Sequence, residues 1–64
     1  MEINKDALLI KMAEREFSRQ KLAEVSGVTY AQLSEAMRRG RMTTESLGRV
    51  AHALGCEVKE LVEV

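Results

Sequence analysis

The sequence predicts an all-α fold of five short helices in a single domain spanning residues 1–64. Apolar residues recur three and four positions apart in successive segments, which is helical spacing. A Ser, Thr or Asn precedes each of the first four segments, and the chain contains no proline to interrupt them. A chain of 64 residues is near the size at which one hydrophobic core becomes marginal. Because Phe17 and Tyr30 are its only aromatic residues, we expect a core of Leu, Val, Ala and Met.

The first helix is predicted over about residues 5–15. Asn4 stands immediately before it, and Asn is a favoured N-cap residue because its side chain accepts from a free N–H of the first turn. The residues expected to face the core are Leu8, Leu9, Met12 and Ala13.

The second helix is predicted over about residues 19–26 and the third over about 30–38. Ser18 and Thr29 are their expected N-caps. Gly27 can adopt the left-handed conformation that ends a helix. The residues expected to face inward are Leu22, Ala23, Val28, Leu33, Ala36 and Met37.

A loop around Gly40 separates the third helix from the fourth, which Thr43 or Thr44 caps and which ends at Leu54. Gly55 follows as the helix-ending glycine. A short fifth helix is predicted over about residues 58–63. The inward-facing residues of these two helices are Leu47, Val50, Ala51, Leu54, Val58, Leu61 and Val62.

Residues 18–40 have the spacing of a helix-turn-helix, in which two short helices meet around a tight turn. Ala23 lets the helices approach closely, and Leu33 anchors the second against the first. This ordered set of small and apolar residues predicts a DNA-binding motif.

The stretch SRQKLAEVSGVTYAQLSEAMRRG resembles the motif of the Cro/cI-type helix-turn-helix family of phage repressors and bacterial regulators. The similarity extends over about residues 5–62, through TTESLGRVAHALGCEVKELV at the C-terminal end. It implies a compact lambda-repressor-like domain. It also implies a sequence-specific transcriptional regulator of double-stranded DNA, most simply a small phage-like or mobile-element repressor that reads a palindromic operator. Glu16 replaces a frequent glycine and Ser26 a frequent apolar residue, so we expect a differently shaped first connection and looser packing at the turn.

The second helix of such a motif lies in the major groove and presents its N-terminal residues to base edges. The expected base-reading residues are Tyr30, Ala31, Gln32 and Glu35. Gln can pair with adenine, Ala can contact a thymine methyl and Glu can accept from cytosine N4. The alternative is that they are exposed helix residues without a ligand. Glu35 is a base reader only where a cytosine donates to it, because a carboxylate near phosphates is otherwise costly.

Arginines dominate the expected phosphate contacts. Arg19 lies at the positive end of the second helix, and three arginines fall within four residues beside the third. These three could clamp phosphates, read a minor groove or form a solvated loop. The threonines are helix caps whose hydroxyl groups can also contact phosphate. The candidate phosphate-binding residues are Arg19, Thr29, Ser34, Arg38, Arg39, Arg41 and Thr43.

The net charge is zero, but its distribution is uneven. Residues 18–49 hold six basic and three acidic residues, whereas residues 57–63 hold three acidic residues and one lysine. Such asymmetry would aim a local positive field at a phosphate backbone, although a well-mixed solvated surface also explains neutrality.

Other functional classes have little support in the sequence. No nucleophile, base and orienting group recur in a catalytic pattern, so we expect no enzyme activity. His52 and Cys56 are too few for a metal site, and no cofactor or small-molecule ligand is expected. A single cysteine suits the cytoplasm, and no apolar run is long enough for a membrane span. Two alternatives stay open, an antitoxin-like or adaptor module that mainly binds protein, and the DNA-binding part of a longer regulator.

We expect a homodimer, formed at least on DNA, because one module reads only a short half-site. The C-terminal end supplies more apolar surface than so small a core needs. Val58 and Leu61 are expected to seal the core, whereas Val62 and Val64 are the expected dimer contacts.

Overall fold

The computed structural model describes residues 1–63. Within that range four α-helices follow one another along the chain. They are α1 (Lys5–Glu14), α2 (Arg19–Ser26), α3 (Tyr30–Arg39) and α4 (Thr44–Leu54). All four were predicted, and their ends lie within one residue of the expected ones. The described residues are helical apart from short connections and two isolated β-bridges, which agrees with the all-α prediction.

Each α-helix begins at a side-chain cap. Asn4 Oδ1 accepts from the Ala7 N–H at 3.1 Å, and Ser18 Oγ accepts from the Lys21 N–H at 3.1 Å. The Oγ1 atoms of Thr29 and Thr43 accept in the same way from the N–H groups of residues 32 and 46, at 3.1 and 3.2 Å. These oxygens satisfy backbone donors that have no partner within the helix. Of the two threonines considered for α4, Thr43 is the cap.

The prediction of a fifth α-helix over residues 58–63 is not confirmed. One turn of 3-10 helix, Val58–Glu60, takes its place. The backbone groups that would continue a helix are used elsewhere. The Leu61 carbonyl accepts from the Asn4 N–H at 2.8 Å, and the Glu63 N–H donates to the Glu2 carbonyl at 3.2 Å.

The N-terminal residues form an extended segment between two other parts of the chain. On one side the Ile3 N–H donates to the Gly40 carbonyl at 2.9 Å, and the Met42 N–H donates to the Met1 carbonyl at 2.9 Å. On the other side Ile3 forms an antiparallel bridge with Val62. Ile3 is itself buried, with 4% of its surface exposed. Residues 1–4 therefore hold the α3–α4 connection and the C-terminal segment together.

The helices enclose one hydrophobic core, in which α2 packs against both α3 and α4. Leu9 and Ala13 were expected in this core but are exposed, Leu9 to 49%. Positions 8 and 12 face the core, and a helix turns about 100° per residue, so positions 9 and 13 point away from it. The buried residues are Ile3, Leu8, Met12, Leu22, Ala23, Val28, Leu33, Met37, Met42, Leu47, Val50, Ala51, Leu54 and Leu61.

The connection between α1 and α2 keeps a glycine-like backbone without a glycine. Glu16 has φ +58°. The Phe17 N–H donates to the Met12 carbonyl at 2.9 Å and the Glu16 N–H to the Ala13 carbonyl at 3.0 Å, which is the Schellman pattern that ends helices. The expectation of a differently shaped connection is therefore wrong, because these two hydrogen bonds hold Glu16 in the left-handed conformation.

The helix-turn-helix connection is fixed by Gly27 and Ser26. Gly27 has φ +80°, so the chain leaves α2 in the left-handed conformation. The Ser26 hydroxyl donates to the Ala23 carbonyl at 3.4 Å, and its oxygen accepts from the Val28 N–H at 3.2 Å. The looser packing expected from Ser26 is not seen, since its hydroxyl satisfies the backbone of the turn and Val28 remains buried.

Candidate nucleic-acid interface

One long face of α3 is open to solvent beside the core. Leu33 and Met37 are buried in the core, where α3 packs against α2, and this turns Ala31, Gln32 and Glu35 outward. These three residues line a groove of about 390 Å³ at the surface. Its other lining residues are Val28, Ala36, Arg39, Arg41, Met42, Thr43 and Ser46. The groove therefore runs between α3 and the start of α4, with an apolar floor and a polar rim.

Three of the four expected base-reading residues meet in this groove, and the fourth does not. Tyr30 is 52% exposed, as expected, but it lies at the other side of the N-terminus of α3. There it borders a shallow surface with Gln20, Glu24 and Thr29. Tyr30 thus lies beside α2 and the turn that follows it, outside the groove.

Gln32 has a structural role beyond the predicted base contact. Its Oε1 accepts from the Thr29 N–H at 3.3 Å, while its own N–H donates to Thr29 Oγ1. The pair forms a capping box at the start of α3. The spacing Thr-x-x-Gln was readable in the sequence. The Gln32 NH2 group makes no hydrogen bond within residues 1–63, so it is available as a donor.

Arg19 and Ser34, both expected to contact phosphate, lie next to each other. The Arg19 guanidinium donates to Ser34 Oγ at 3.5 Å, across the gap between α2 and α3. Arg19 is exposed and Ser34 half-buried. This contact lies on the α2 side of α3, outside the groove.

The Glu35 carboxylate binds two arginines of the same helix. Arg38 donates to it through Nε at 3.3 Å and through one Nη, and Arg39 donates through Nε at 3.0 Å. The hydrogen bond from Arg38, with a smaller contribution from Arg39, holds the pKa of Glu35 below its ordinary value. Glu35 is therefore ionised at neutral pH. Glu35 and the two arginines were predicted to have separate roles, whereas in the structure they are joined by these hydrogen bonds.

Arg41 and Thr43 form the opposite edge of the groove. Arg41 is exposed, and within residues 1–63 it has no acidic partner. Its backbone pairs with Glu2, which fixes the connection that carries it. Thr43 Oγ1 accepts from the α4 backbone and keeps its hydroxyl hydrogen to donate. Ser46, one turn further along α4, also lines the groove and was not among the expected residues.

The expected dimer contacts are only partly described. Val62 is half-buried, packs against the core and forms a bridge with Ile3. Val64 lies outside the described residues. Val58 is half-buried and Leu61 fully buried, so both contribute to sealing the core as expected.

Neither a metal cluster nor a membrane-spanning helix occurs in residues 1–63. No three His, Cys, Asp or Glu side chains there could hold a metal ion, and none of the helices has the length and hydropathy to cross a bilayer. Cys56 is half-buried against the core, and burial raises the pKa of its thiol.

The fold and the groove together define a helix-turn-helix domain with an exposed recognition helix. The model of the Cro/C1-type HTH DNA-binding domain matches residues 7–64, and the chain belongs to that family. No curated protein and no solved structure matches it significantly.

Proposed function

We propose that this protein is a sequence-specific transcriptional regulator, a small phage-like or mobile-element repressor that reads a palindromic operator in the cytoplasm. Membership of a DNA-binding family gives the general function. The observation that supports the specific one is the groove beside α3. It brings Ala31, Gln32 and Glu35 together with basic and hydroxyl groups on its rim.

The first turns of α3 have the chemistry for direct base reading. The free NH2 group of Gln32 can donate to adenine N7, and its carbonyl oxygen has a second lone pair for the adenine amino group. The Ala31 methyl can contact a thymine methyl. Tyr30 contributes a ring and a hydroxyl at the outer end of the helix.

Two edges flank this base-reading surface and suit the two sides of a DNA groove. Arg19, Ser34 and Thr29 form one edge, and Arg41 and Thr43 form the other. Arginine side chains and hydroxyl groups at helix N-termini are common phosphate ligands. We assign these five residues, with Arg38 on the flank of α3, to phosphate contacts.

The working form on DNA is a homodimer, because one recognition helix covers too few base pairs for a specific site. Val62 and Val64 are the proposed contacts near the two-fold axis. An interface of two valines per subunit is small, so the dimer forms fully only when both half-sites are bound.

An adaptor role is the second candidate, and one observation favours it. Leu9 and Ile10 are 49% and 56% exposed on the outward face of α1. An apolar face of this kind can bind a protein partner. It lies outside the α3 groove, so it is compatible with DNA binding by the same chain.

Selection of binding sites from random duplex DNA tests the proposed function. We expect enrichment of a palindrome whose half-sites are one helical turn apart, about 10 base pairs. The double variant Arg19→Ala/Arg41→Ala should enrich no sequence, whereas Lys59→Ala, which removes a charge outside the groove, should enrich the same one. Failure of the native chain to enrich any sequence would refute the proposal.

Sedimentation of the complex tests the assembly. We expect two chains on each selected palindromic duplex at saturation. A single chain per duplex would refute the dimer while leaving DNA reading intact.

A further inference from the structure

We propose that Glu35 is a positioning residue that orients Arg39, and that the free end of the Arg39 guanidinium reads a guanine in the major groove. The inference rests on the proposed function. Arg39 then contacts a base and not a phosphate, and Glu35 does not contact a base itself.

The first argument is the way Arg39 meets the carboxylate. Arg39 donates to Glu35 Oε1 through Nε at 3.0 Å. Within residues 1–63 its two Nη atoms make no hydrogen bond. Those two atoms form the end of the guanidinium fork that donates side by side to O6 and N7 of guanine. Glu35 thus fixes one edge of the guanidinium and leaves the other edge free.

Arg38 meets the same carboxylate differently. It uses both Nε, at 3.3 Å to Oε2, and one Nη, to Oε1. The two donors on the Nε side of the Arg38 guanidinium are therefore occupied by Glu35. The two arginines are three and four positions after Glu35, so all three side chains lie on adjoining parts of one helix surface. Arg38 accordingly anchors the carboxylate that orients Arg39.

The two arginines also differ in their position relative to the groove. Glu35 and Arg39 line the groove together with Ala31 and Gln32, whereas Arg38 does not. Residues 32, 35 and 39 follow one another at helical spacing along that face. Arg39 therefore extends the row of base-reading side chains toward the C-terminus of α3.

The carboxylate has little capacity left to read a base itself. It already accepts three hydrogen bonds from the arginines, out of about four that a carboxylate can accept. Accepting from cytosine N4 in place of an arginine would release a guanidinium from its partner. Its charge is also offset by two adjacent cations, which reduces its repulsion of phosphates.

The test is a competition binding assay on the selected duplex with base analogues. Each guanine is replaced in turn by 7-deazaguanine, which lacks N7, and each cytosine by N4-methylcytosine. The proteins are the native chain, Glu35→Gln, Arg39→Ala, the double variant of the two, and Lys59→Ala as the control. All three replaced side chains are solvent-accessible, and circular dichroism verifies that each variant is helical.

For the native chain we expect one guanine per half-site whose 7-deaza form weakens binding about fivefold or more. Arg39→Ala should erase that sensitivity. Glu35→Gln should erase most of it while strengthening binding to random DNA, because one negative charge per subunit is gone. The double variant should lose no more than Arg39→Ala alone, since both changes act on one contact. Lys59→Ala, which removes a charge outside the groove, should keep the guanine sensitivity.

Three results would overturn the inference. The native chain could show no N7-sensitive guanine, Glu35→Gln could keep the native sensitivity, or N4-methylcytosine could weaken native binding in a way that Glu35→Gln abolishes. The last result would make Glu35 a direct reader. If the native chain bound the selected and random duplexes equally, the proposed function itself would fail.

Discussion

Glu16 and Gly55 occupy the same place in two helix-ending motifs. Each has a positive φ, +58° and +69°, and each is followed by an N–H that donates to a carbonyl five residues earlier. Glycine adopts this conformation freely, whereas a residue with a Cβ meets a penalty of about 1–2 kcal/mol. The sequence predicts the left-handed conformation at Gly55 but not at Glu16, because the surrounding hydrogen bonds impose it on Glu16.

We expect Glu16→Gly to raise the free energy of unfolding by about 0.5–1 kcal/mol, since relief of strain exceeds the added chain entropy of glycine. Urea denaturation followed by circular dichroism measures it. Gly55→Ala is the matched control and should be destabilising, because its Cβ would also collide with the Arg15 guanidinium that covers Gly55. A fall in stability for Glu16→Gly would contradict this account of the connection.

Gln32 links stability and specificity at a single position. Gln32→Ala should lower the free energy of unfolding by about 0.5–1 kcal/mol, because the capping box is lost. It should also reduce the preference at one base pair by roughly 1–3 kcal/mol.

Gln32→Glu is the control that separates the two roles. A carboxylate can accept from the Thr29 N–H, so stability should stay within about 0.5 kcal/mol of the native value. It has no N–H to donate to adenine N7, so the base preference should be lost. Thermal melting and binding to singly substituted operators measure the two quantities. Equal base preference in both variants and the native chain would exclude Gln32 as a reader.

At the scale of elements, the four α-helices were predictable because their determinants are local. Each has an N-cap residue, a row of apolar side chains at helical spacing and, for three of them, a glycine at the end. The replacement of the predicted fifth α-helix by one turn of 3-10 helix was not predictable. It arises because residues 61–63 pair with residues 2–4 from the other end of the chain. Apolar spacing in Val58, Leu61 and Val62 does not reveal such a non-local pairing.

The N-terminal segment is expected to be part of the stable core. Ile3→Val should lower the free energy of unfolding by about 0.5–1.5 kcal/mol, the usual effect of removing one buried methylene. Ile10→Val, on the exposed face of α1, is the matched control and should change it by less than about 0.5 kcal/mol. Equal effects in urea denaturation would show that residues 1–4 do not pack as described.

At the scale of the whole molecule, the neutral chain has a basic site. Arg39 and Arg41 line the groove, Arg38 binds Glu35 and Arg19 contacts Ser34, all on or beside α3. Acidic residues 57, 60 and 63 lie near the C-terminal end of the chain. The positions of these charges were readable in the sequence. The pairing of Glu35 with two of the arginines was not, because it depends on which rotamers the folded helix selects. Arg41 and Thr43 join the site through the backbone pairing of their loop with residues 1–2, which is again non-local.

Binding should depend strongly on salt. If a dimer makes about six to eight phosphate contacts, log K should fall against log salt with a slope of about −5 to −7. Arg41→Ala should weaken binding to all sequences and flatten that slope by about 0.9 per subunit. Lys59→Ala should leave the slope unchanged, since Lys59 pairs with Glu57 outside the groove. A native slope near zero would exclude a phosphate-binding surface.

The central claim is that duplex DNA binds along the exposed face of α3. Nuclear magnetic resonance of the 15N-labelled chain, titrated with the selected operator, measures this directly. We expect the largest amide shifts at residues 29–35, with further shifts around Arg19, Arg41 and Thr43, and only small ones at Leu9 and Ile10. Shifts concentrated on α1 or on the C-terminal segment, with α3 unchanged, would contradict the account.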